Sequence, residues 1–344
     1  METILLLAHP ETDGTLARPA LEALNFAREL AAGLSKSSLL VGLVGAEVQA
    51  AANALAGCGA TRFLGVVGTD FAPSRYSTDA AAAEALCRAA DATVVIAAGT
   101  SRWNRVLAGV AQRLQGRADT HVTGIALEEG RLSAARWFYR QRVEAVIQRS
   151  HRPWFILADP GCGEPWAAPA GTATLEPVAV ALTDAHRRTT VSRIQAPPAD
   201  EQTIRPDAKL LFVAGAGWTK TQPDGKTHAE EAERIILDFL AKTKASLGST
   251  KSLVDLRGEG QAVLRFLTHL NQVGQTGSTP RHPKGLAACC HGEEPHAVGW
   301  RFISERRAIN LNPNCGWAQG KADVLYVADA FAVMRRVNGL LAAT

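Results

Sequence analysis

Short, continuous apolar runs alternate with amphipathic stretches through the first third of the chain, and this alternation constrains the fold most strongly. A strand buried on both faces of a sheet reads as an unbroken aliphatic run, and strands that alternate with helices pair in parallel through right-handed crossovers. The sequence therefore predicts a parallel α/β sheet. Its predicted strands are residues 4–8, 39–44, 62–67 and 92–98, and its predicted helices are residues 17–34, 47–56, 78–90 and 104–114.

The pattern changes after His121, where short β-like segments follow one another with turn residues between them. We expect these strands to extend or cap the first domain. The stretch around Pro197 and Pro198 then interrupts the periodicity, which predicts a linker over residues 196–207. The predicted strands of this region are residues 121–127, 131–139, 143–148, 153–157 and 178–182.

A second domain follows the linker. A chain of 344 residues is long enough for two domains at roughly 150 residues each, here residues 1–195 and 208–344. The run from Thr227 to Glu230 has capping-box spacing and predicts the start of a helix. The predicted strands of this domain are residues 208–213, 285–290, 307–311 and 324–327, and residues 330–341 form the predicted last helix.

Composition excludes several classes of protein. Lys and Arg number 37 against 33 for Asp and Glu, and this net charge of +4 forms no basic stripe, so we expect no nucleic-acid partner. The apolar runs are far shorter than the ~18 residues of a membrane span, so a membrane protein is not expected. The N-terminus has no signal-peptide pattern and the six cysteines have no CxxC spacing, which together predict a cytoplasmic protein.

Two glycine-containing segments resemble phosphate-binding motifs but are incomplete. Gly215-Ala216-Gly217 lies between a predicted strand and a predicted helix, as a dinucleotide-binding turn does, but Lys220 stands where the third glycine belongs. The segment from Asp224 to Thr227 resembles the end of a P-loop, and Lys220 again replaces the required glycine. A structural turn is the simpler interpretation of both segments.

The Cys289-Cys290-His291 segment, with His296 and Cys315, suggests a metal site. Adjacent residues of a strand point to opposite faces, so two neighbouring cysteines cannot easily bind one ion. The spacing also matches no structural zinc site. A buried strand end is the favoured interpretation, and no metal is predicted.

The segment Val273-Gly274-Gln275-Thr276-Gly277 is the most informative one, because two glycines flank an amide and a hydroxyl. Such a turn lets backbone N–H groups and short side chains approach a flat polar ligand closely. From these residues alone, a hairpin-like turn and a cofactor cradle are equally good interpretations.

At these residues the chain resembles the alpha subunit of electron-transfer flavoproteins. Residues 273–277 match that family's flavin-binding VGQTG turn letter for letter, and His296 has the spacing of its flavin-contacting histidine. Asn310 resembles the asparagine of its A-I-N-x-D-P stretch, and Asp329 the acidic residue of its final V-A-D segment. The resemblance is specific in residues 208–344 and looser in residues 1–195, where only the order of strands and helices is similar.

The resemblance implies a nucleotide-hydrolase-like α/β first domain with a β extension and a doubly wound second domain that binds FAD. Thr276 would contact flavin N5 or O4, and His296 would face the N1–C2=O edge, where negative charge develops on reduction. Residues 291–295 would bind the pyrophosphate at a helix start, and Asn310 and Asp329 the adenosine. The implied cofactor-binding residues are Thr250, Lys251, Val273, Gly274, Gln275, Thr276, His291, Gly292, Glu293, Glu294, Pro295, His296, Asn310 and Asp329.

Several positions depart from the family pattern. Lys251 stands where the family carries arginine over the flavin ring, and it lacks the planar guanidinium that can stack. Thr250 and His291 replace serines, Asn312 replaces an aspartate, and Ala216 replaces an arginine of the glycine turn. These departures indicate a divergent member.

The function implied is that of an alpha subunit that shuttles electrons and is not itself an enzyme. Its FAD would take electrons from a primary dehydrogenase and pass them to the respiratory chain, and a beta-type subunit contacting the first domain would complete the site. The divergence suggests a dedicated donor such as an N-methyl-amine or betaine demethylase. The alternative is a redox-inactive structural subunit of a similar complex.

Overall fold

The computed structural model describes residues 2–128, 130–139, 143–192, 204–205, 208–255, 262–274, 280–288, 300, 303–314 and 322–343. The chain divides into two compact units, Met1–Gln195 and Ala196–Thr344. Both units are α/β structures built on sheets that are wholly or mainly parallel. Among the described residues, no helix is both long and apolar enough to cross a membrane.

The first unit is built on a nine-stranded sheet in the order β7-β6-β5-β8-β4-β1-β2-β3-β9. Within this described sheet, β6 runs in the direction opposite to the other eight strands. Its strands are β1 (Glu2–Ala8), β2 (Ser37–Gly45), β3 (Arg62–Val67), β4 (Val94–Ala98), β5 (Arg117–Glu128), β6 (Arg131–Phe138), β7 (Val143–Gln148), β8 (Trp154–Ala158) and β9 (Leu175–Pro177). Its helices are α1 (Arg18–Gly33), α2 (Gln49–Ala54), α3 (Tyr76–Ala90) and α4 (Ser101–Arg113).

Helices cover both faces of this sheet, so its central strands are buried on both sides. Alternate residues of β1 enter two different apolar clusters: Ile4 and Leu6 pack on the side of α1, and Leu5 and Leu7 on the side of α3 and α4. This double burial explains why the central strands read as unbroken apolar runs in the sequence.

The second unit contains a five-stranded, wholly parallel sheet in the order β11-β10-β12-β13-β14. The chain first moves outward from β10 to β11 and then returns past β10 to β12, which is the strand order of doubly wound folds. The strands are β10 (Leu210–Ala214), β11 (Ser246–Ser249), β12 (Lys284–Ala288), β13 (Glu305–Asn310) and β14 (Val324–Val327), and the helices described are α5 (Ala229–Thr243), α6 (Lys251–Asp255) and α7 (Ala330–Leu341).

Two predicted details are wrong. The strand expected at residues 178–182 is absent from the described residues there, and β9 lies just before it at Leu175–Pro177. Val178, Val180 and Leu182 alternate because they pack against the core, and packing alone produced the pattern.

The capping box predicted at Thr227 does not form either. His228 occupies the N-cap position of helix α5, and its side chain accepts no hydrogen bond from the backbone of the first turn.

Candidate functional site

The carboxyl ends of three neighbouring strands of the second unit, β11, β10 and β12, lie side by side. Ala214, the last residue of β10, is paired in register with Ser249 on one side and Ala288 on the other. Ligands of doubly wound sheets bind at this edge, where neighbouring crossovers leave in opposite directions. Three of the segments singled out in the sequence follow these strand ends directly: residues 215–217, 250–251 and 289–296.

Thr250 and Lys251 follow β11 but have opposite environments. Thr250 is fully buried, and its backbone N–H donates to the Ala214 carbonyl at 3.0 Å. Its hydroxyl accepts a hydrogen bond from Ser252 at 3.5 Å. Lys251 begins the short helix α6 and is exposed. A buried hydroxyl and an exposed ammonium group therefore lie at the same strand end.

The start of the VGQTG turn lies against the same strand. Gln272 forms a parallel bridge with Ser249, and the Val273 N–H donates to the Ser249 carbonyl at 3.0 Å. Val273 is buried over Gly248, where an added Cβ would lie 2.6 Å from Val273 Cγ2. Gly274 has a φ of +134°, a conformation that favours glycine. The structure thus brings Val273 and Gly274 to the strand end that carries Thr250.

The other residues that the resemblance predicts to contact the flavin ring and the pyrophosphate lie outside the described residues. These are Gln275, Thr276, His291, Gly292, Glu293, Glu294, Pro295 and His296. Their roles stay predictions from the resemblance. The cysteines and histidines of the rejected metal interpretation, Cys289, Cys290 and Cys315 among them, lie outside the described residues as well.

Asn310 and Asp329 lie at the carboxyl edge too, where β13 and β14 end, on the side of the sheet farthest from β11. Asn310 ends β13, is buried, and accepts a hydrogen bond from the Asn312 N–H at 2.9 Å. Asp329 follows β14 and caps α7, because its carboxylate accepts the Ala332 N–H at 2.7 Å. Both side chains therefore also shape the local backbone. Every described residue of the predicted set lies at this one edge.

Sequence reasoning missed two buried polar atoms in this part of the second unit. Within the described chain, the hydroxyl of Ser249 and the indole nitrogen of Trp218 have no hydrogen-bond partner although both side chains are fully buried. Ser249 ends β11, and Trp218 lies in the short 3₁₀ helix Ala216–Thr219 that follows β10. No sequence signal distinguishes a partnered serine from an unpartnered one.

The described residues at this edge fit a flavin dinucleotide. The β11 end of the edge brings together the unpartnered hydroxyl of Ser249, the buried Thr250 and Gly274 with its positive φ. Polar contacts to a flat ring are expected there. An amide and a helix start lie at its β13–β14 end. A dinucleotide needs contacts along such a length of sheet edge, from ring to adenosine.

The corresponding edge of the first unit is organised differently. Arg102 and Asp79 form a buried ion pair at 2.6 Å, and Arg102 also donates to the Phe71 carbonyl at 2.7 Å. Burial, together with the charge of Arg102, lowers the pKa of His9, whose ring lies 5.9 Å from that of Trp103. These charged groups are engaged with one another inside the unit, which indicates a structural role.

A family comparison settles the class of protein. The model of the electron transfer flavoprotein domain matches residues 4–185, more than half of the chain. The chain belongs to the electron transfer flavoprotein family. This match covers the first unit, where the resemblance of individual residues was looser, and it supports a role in flavin-dependent electron transfer. No curated protein matches the chain.

Proposed function

We propose that this chain is the alpha-type subunit of a heterodimeric electron-transfer flavoprotein and that it binds FAD at the carboxyl edge of its five-stranded sheet. One observation carries the proposal. The doubly wound sheet places Thr250, Val273, Gly274, Asn310 and Asp329 along a single edge. These residues come from four separate stretches of the sequence, and the family match adds independent support.

The chain's own residues would bind and orient the cofactor from ring to adenosine. Gly274 gives the backbone a close approach to the ring, and the Thr250 hydroxyl and the Lys251 ammonium group supply polar and positive contacts beside it. Thr276 and His296 would donate hydrogen bonds to the ring, residues 291–295 would hold the pyrophosphate, and Asn310 with Asp329 would hold the adenosine. FAD, when bound, supplies the capacity to accept and release electrons one or two at a time.

The proposed partners follow from this role. A beta-type subunit contacts the first unit and completes the flavin site, a donor dehydrogenase supplies electrons, and a respiratory acceptor takes them. An N-methyl-amine or betaine demethylase is the proposed class of donor. The chain acts as an electron carrier in the cytoplasm, so it needs no substrate-binding pocket of its own.

The direct test is purification of the full-length chain with its partner subunit, followed by absorbance and chromatography of the released cofactor. We expect one FAD per complex. Thr250→Val removes the buried hydroxyl at nearly constant volume and should weaken FAD binding about two- to tenfold, since a hydrogen bond contributes roughly 0.5–1.5 kcal/mol.

The matched control for this test is Thr243→Val at the opposite edge of the same sheet. Thr243 ends α5, and its hydroxyl donates to the Phe239 carbonyl at 2.8 Å. This change should leave FAD affinity unchanged. A complex that contains no flavin would contradict the proposal and favour the redox-inactive structural subunit.

A further inference from the structure

The first turns of two helices meet at the carboxyl edge of the first unit. Helix α3 follows β3, helix α4 follows β4, and both pack on the same face of the sheet. Asp79 in the first turn of α3 pairs with Arg102 in the first turn of α4. Because backbone N–H groups without intrahelical partners make each helix N-terminus positive, two positive helix ends lie together here.

Arg75 occupies the N-cap position of α3 and provides no acceptor for the first turn. An N-cap side chain commonly accepts a backbone N–H of that turn. A guanidinium group can only donate, and the Arg75 side chain makes no capping hydrogen bond. The first-turn N–H groups of α3 therefore receive no acceptor from the N-cap residue.

The guanidinium group of Arg75 is itself buried and short of acceptors. Its side chain is 11% exposed, and its Nε and Nη1 atoms have no hydrogen-bond partner among the described residues. The Asp70 carboxylate lies 3.6 Å from Nη1, beyond hydrogen-bond distance, and forms a closer ion pair with Arg187 at 2.9 Å. Buried donors without an acceptor cost free energy, and the oxygens of an anion would remove that cost.

A second guanidinium group lies beside the first. Arg105 of α4 is exposed, and its Nη2 donates to the Ser74 hydroxyl at 2.6 Å. Ser74 directly precedes Arg75 in the chain, and its own hydroxyl proton can donate to a further acceptor. Ser74 thus links the two arginines and adds a third type of donor.

The charges at this edge are unbalanced toward the positive side. Its arginines are Arg75, Arg102, Arg105 and Arg187, and the carboxylates in contact with them within the described chain are Asp70 and Asp79. Four guanidinium groups therefore meet two carboxylates. The difference equals the charge of one dianion.

We propose that Ser74, Arg75 and Arg105, with the first-turn N–H groups of α3, bind a phosphate dianion, either free or as a monoester. Phosphate offers enough oxygens for two guanidinium groups, a hydroxyl and backbone N–H groups at once. A carboxylate, as on an acidic protein segment, has a single charge and two oxygens, so it would leave donors unsatisfied. This site belongs to the first unit, whereas the candidate flavin site belongs to the second, and the inference is independent of the proposed function.

The test is isothermal titration of the full-length protein, purified with its partner subunit, with inorganic phosphate and separately with phenyl phosphate. Arg105→Gln should weaken binding of both probes at least about tenfold, because hydrogen bonds between charged groups are among the strongest in proteins. Arg75→Gln should have a similar effect, and the exposed Arg105 keeps the test valid if the buried change disturbs folding. Equal affinities for the two probes assign the site to free phosphate, and tighter binding of phenyl phosphate assigns it to a monoester.

Arg113→Gln is the matched control. Arg113 is the last residue of α4 and pairs with Glu84 at 3.4 Å, away from the first turn. This change should leave both affinities unchanged. If the parent protein binds neither probe at millimolar concentration, or if Arg105→Gln and Arg113→Gln weaken binding equally, the phosphate site is overturned. Either result leaves the proposed flavin site untouched.

Discussion

Two buried polar side chains, Asp119 of the first unit and Ser249 of the second, differ in whether the protein gives them hydrogen-bond partners. In the first unit Asp119 is buried and accepts hydrogen bonds from Arg136, Arg149 and the Trp154 indole. Burial alone raises the pKa of Asp119, but the Arg149 and Trp154 hydrogen bonds outweigh it, and the pKa is held below its ordinary value. In the second unit the fully buried hydroxyl of Ser249 has no partner within the described chain.

This contrast distinguishes buried polar groups that stabilise the fold from buried polar groups that remain available to a ligand. A buried polar group that is paired inside a unit stabilises that unit, whereas a buried polar group without a partner costs free energy until a ligand supplies one. The first unit is therefore expected to lose stability when its internal pairs are broken. The second unit is expected to gain stability when its unpaired groups are removed.

The largest expected effect comes from breaking the buried pair of the first unit. Asp79→Ala leaves the Arg102 guanidinium buried without its carboxylate and should lower the free energy of unfolding by about 3–5 kcal/mol. The double change Asp79→Leu with Arg102→Met removes both charges and should cost much less. Urea denaturation followed by circular dichroism, with the transitions of the two units fitted separately, measures the difference.

An exposed ion pair provides the control for that prediction. Asp70 pairs with Arg187 at 2.9 Å at the surface of the same unit. Asp70→Ala should shift the unfolding transition much less than Asp79→Ala does, because solvent screens exposed pairs. Equal losses from Asp79→Ala and Asp70→Ala would remove the distinction drawn for the first unit.

A smaller effect is expected where the VGQTG turn contacts β11. Gly248→Ala introduces a Cβ that would lie 2.6 Å from Val273 Cγ2, so the turn must shift. Overpacking of this kind costs about 1–3 kcal/mol, and displacement of the turn should lower the flavin content of the purified complex. Gly339→Ala in α7 is the control: its Cβ would meet nothing within 4 Å, so it should stabilise the helix by about 0.5–1 kcal/mol.

The smallest effect compares two serines of one strand. Ser249→Ala removes an unpartnered hydroxyl and should raise the free energy of unfolding of the flavin-free protein by about 1 kcal/mol. Ser246 is equally buried, but its hydroxyl accepts the Arg205 N–H at 2.6 Å, so Ser246→Ala should lower stability by a similar amount. The same sign for both variants would show that the two hydroxyls are energetically alike.

Local patterns in the sequence predicted most of the elements but not how they are arranged. The strands at residues 62–67, 143–148 and 324–327 and the helix at residues 330–341 have the predicted bounds. Burial leaves a clear apolar pattern in the first strand and in the helix. The other two strands have no buried residues, and their β-branched and aromatic side chains carried the prediction. The strand at residues 178–182 was wrong because side chains that pack on a core alternate even without a strand partner.

For the candidate site, too, the sequence predicted the segments but not the contacts between them. Motif spacing and resemblance pointed to segments whose described residues lie at one sheet edge, since parallel strands present their carboxyl ends together. The unpartnered state of the Ser249 hydroxyl and of the Trp218 indole nitrogen could not be predicted, because both depend on which residues of distant segments come near them. Such contacts are a property of the assembled sheet.

The position of β8 in the nine-stranded sheet has a consequence for how the protein is made. Trp154–Ala158 lies between β4 and β5 and joins the hairpin-like β5–β6–β7 extension to the rest of the sheet. A nascent chain that has left the ribosome only as far as β7 therefore has two sheet fragments with unpaired edges at β4 and β5. Exposed strand edges invite pairing with other chains. The first unit is expected to depend on chaperones during translation until the segment through Ala158 has emerged.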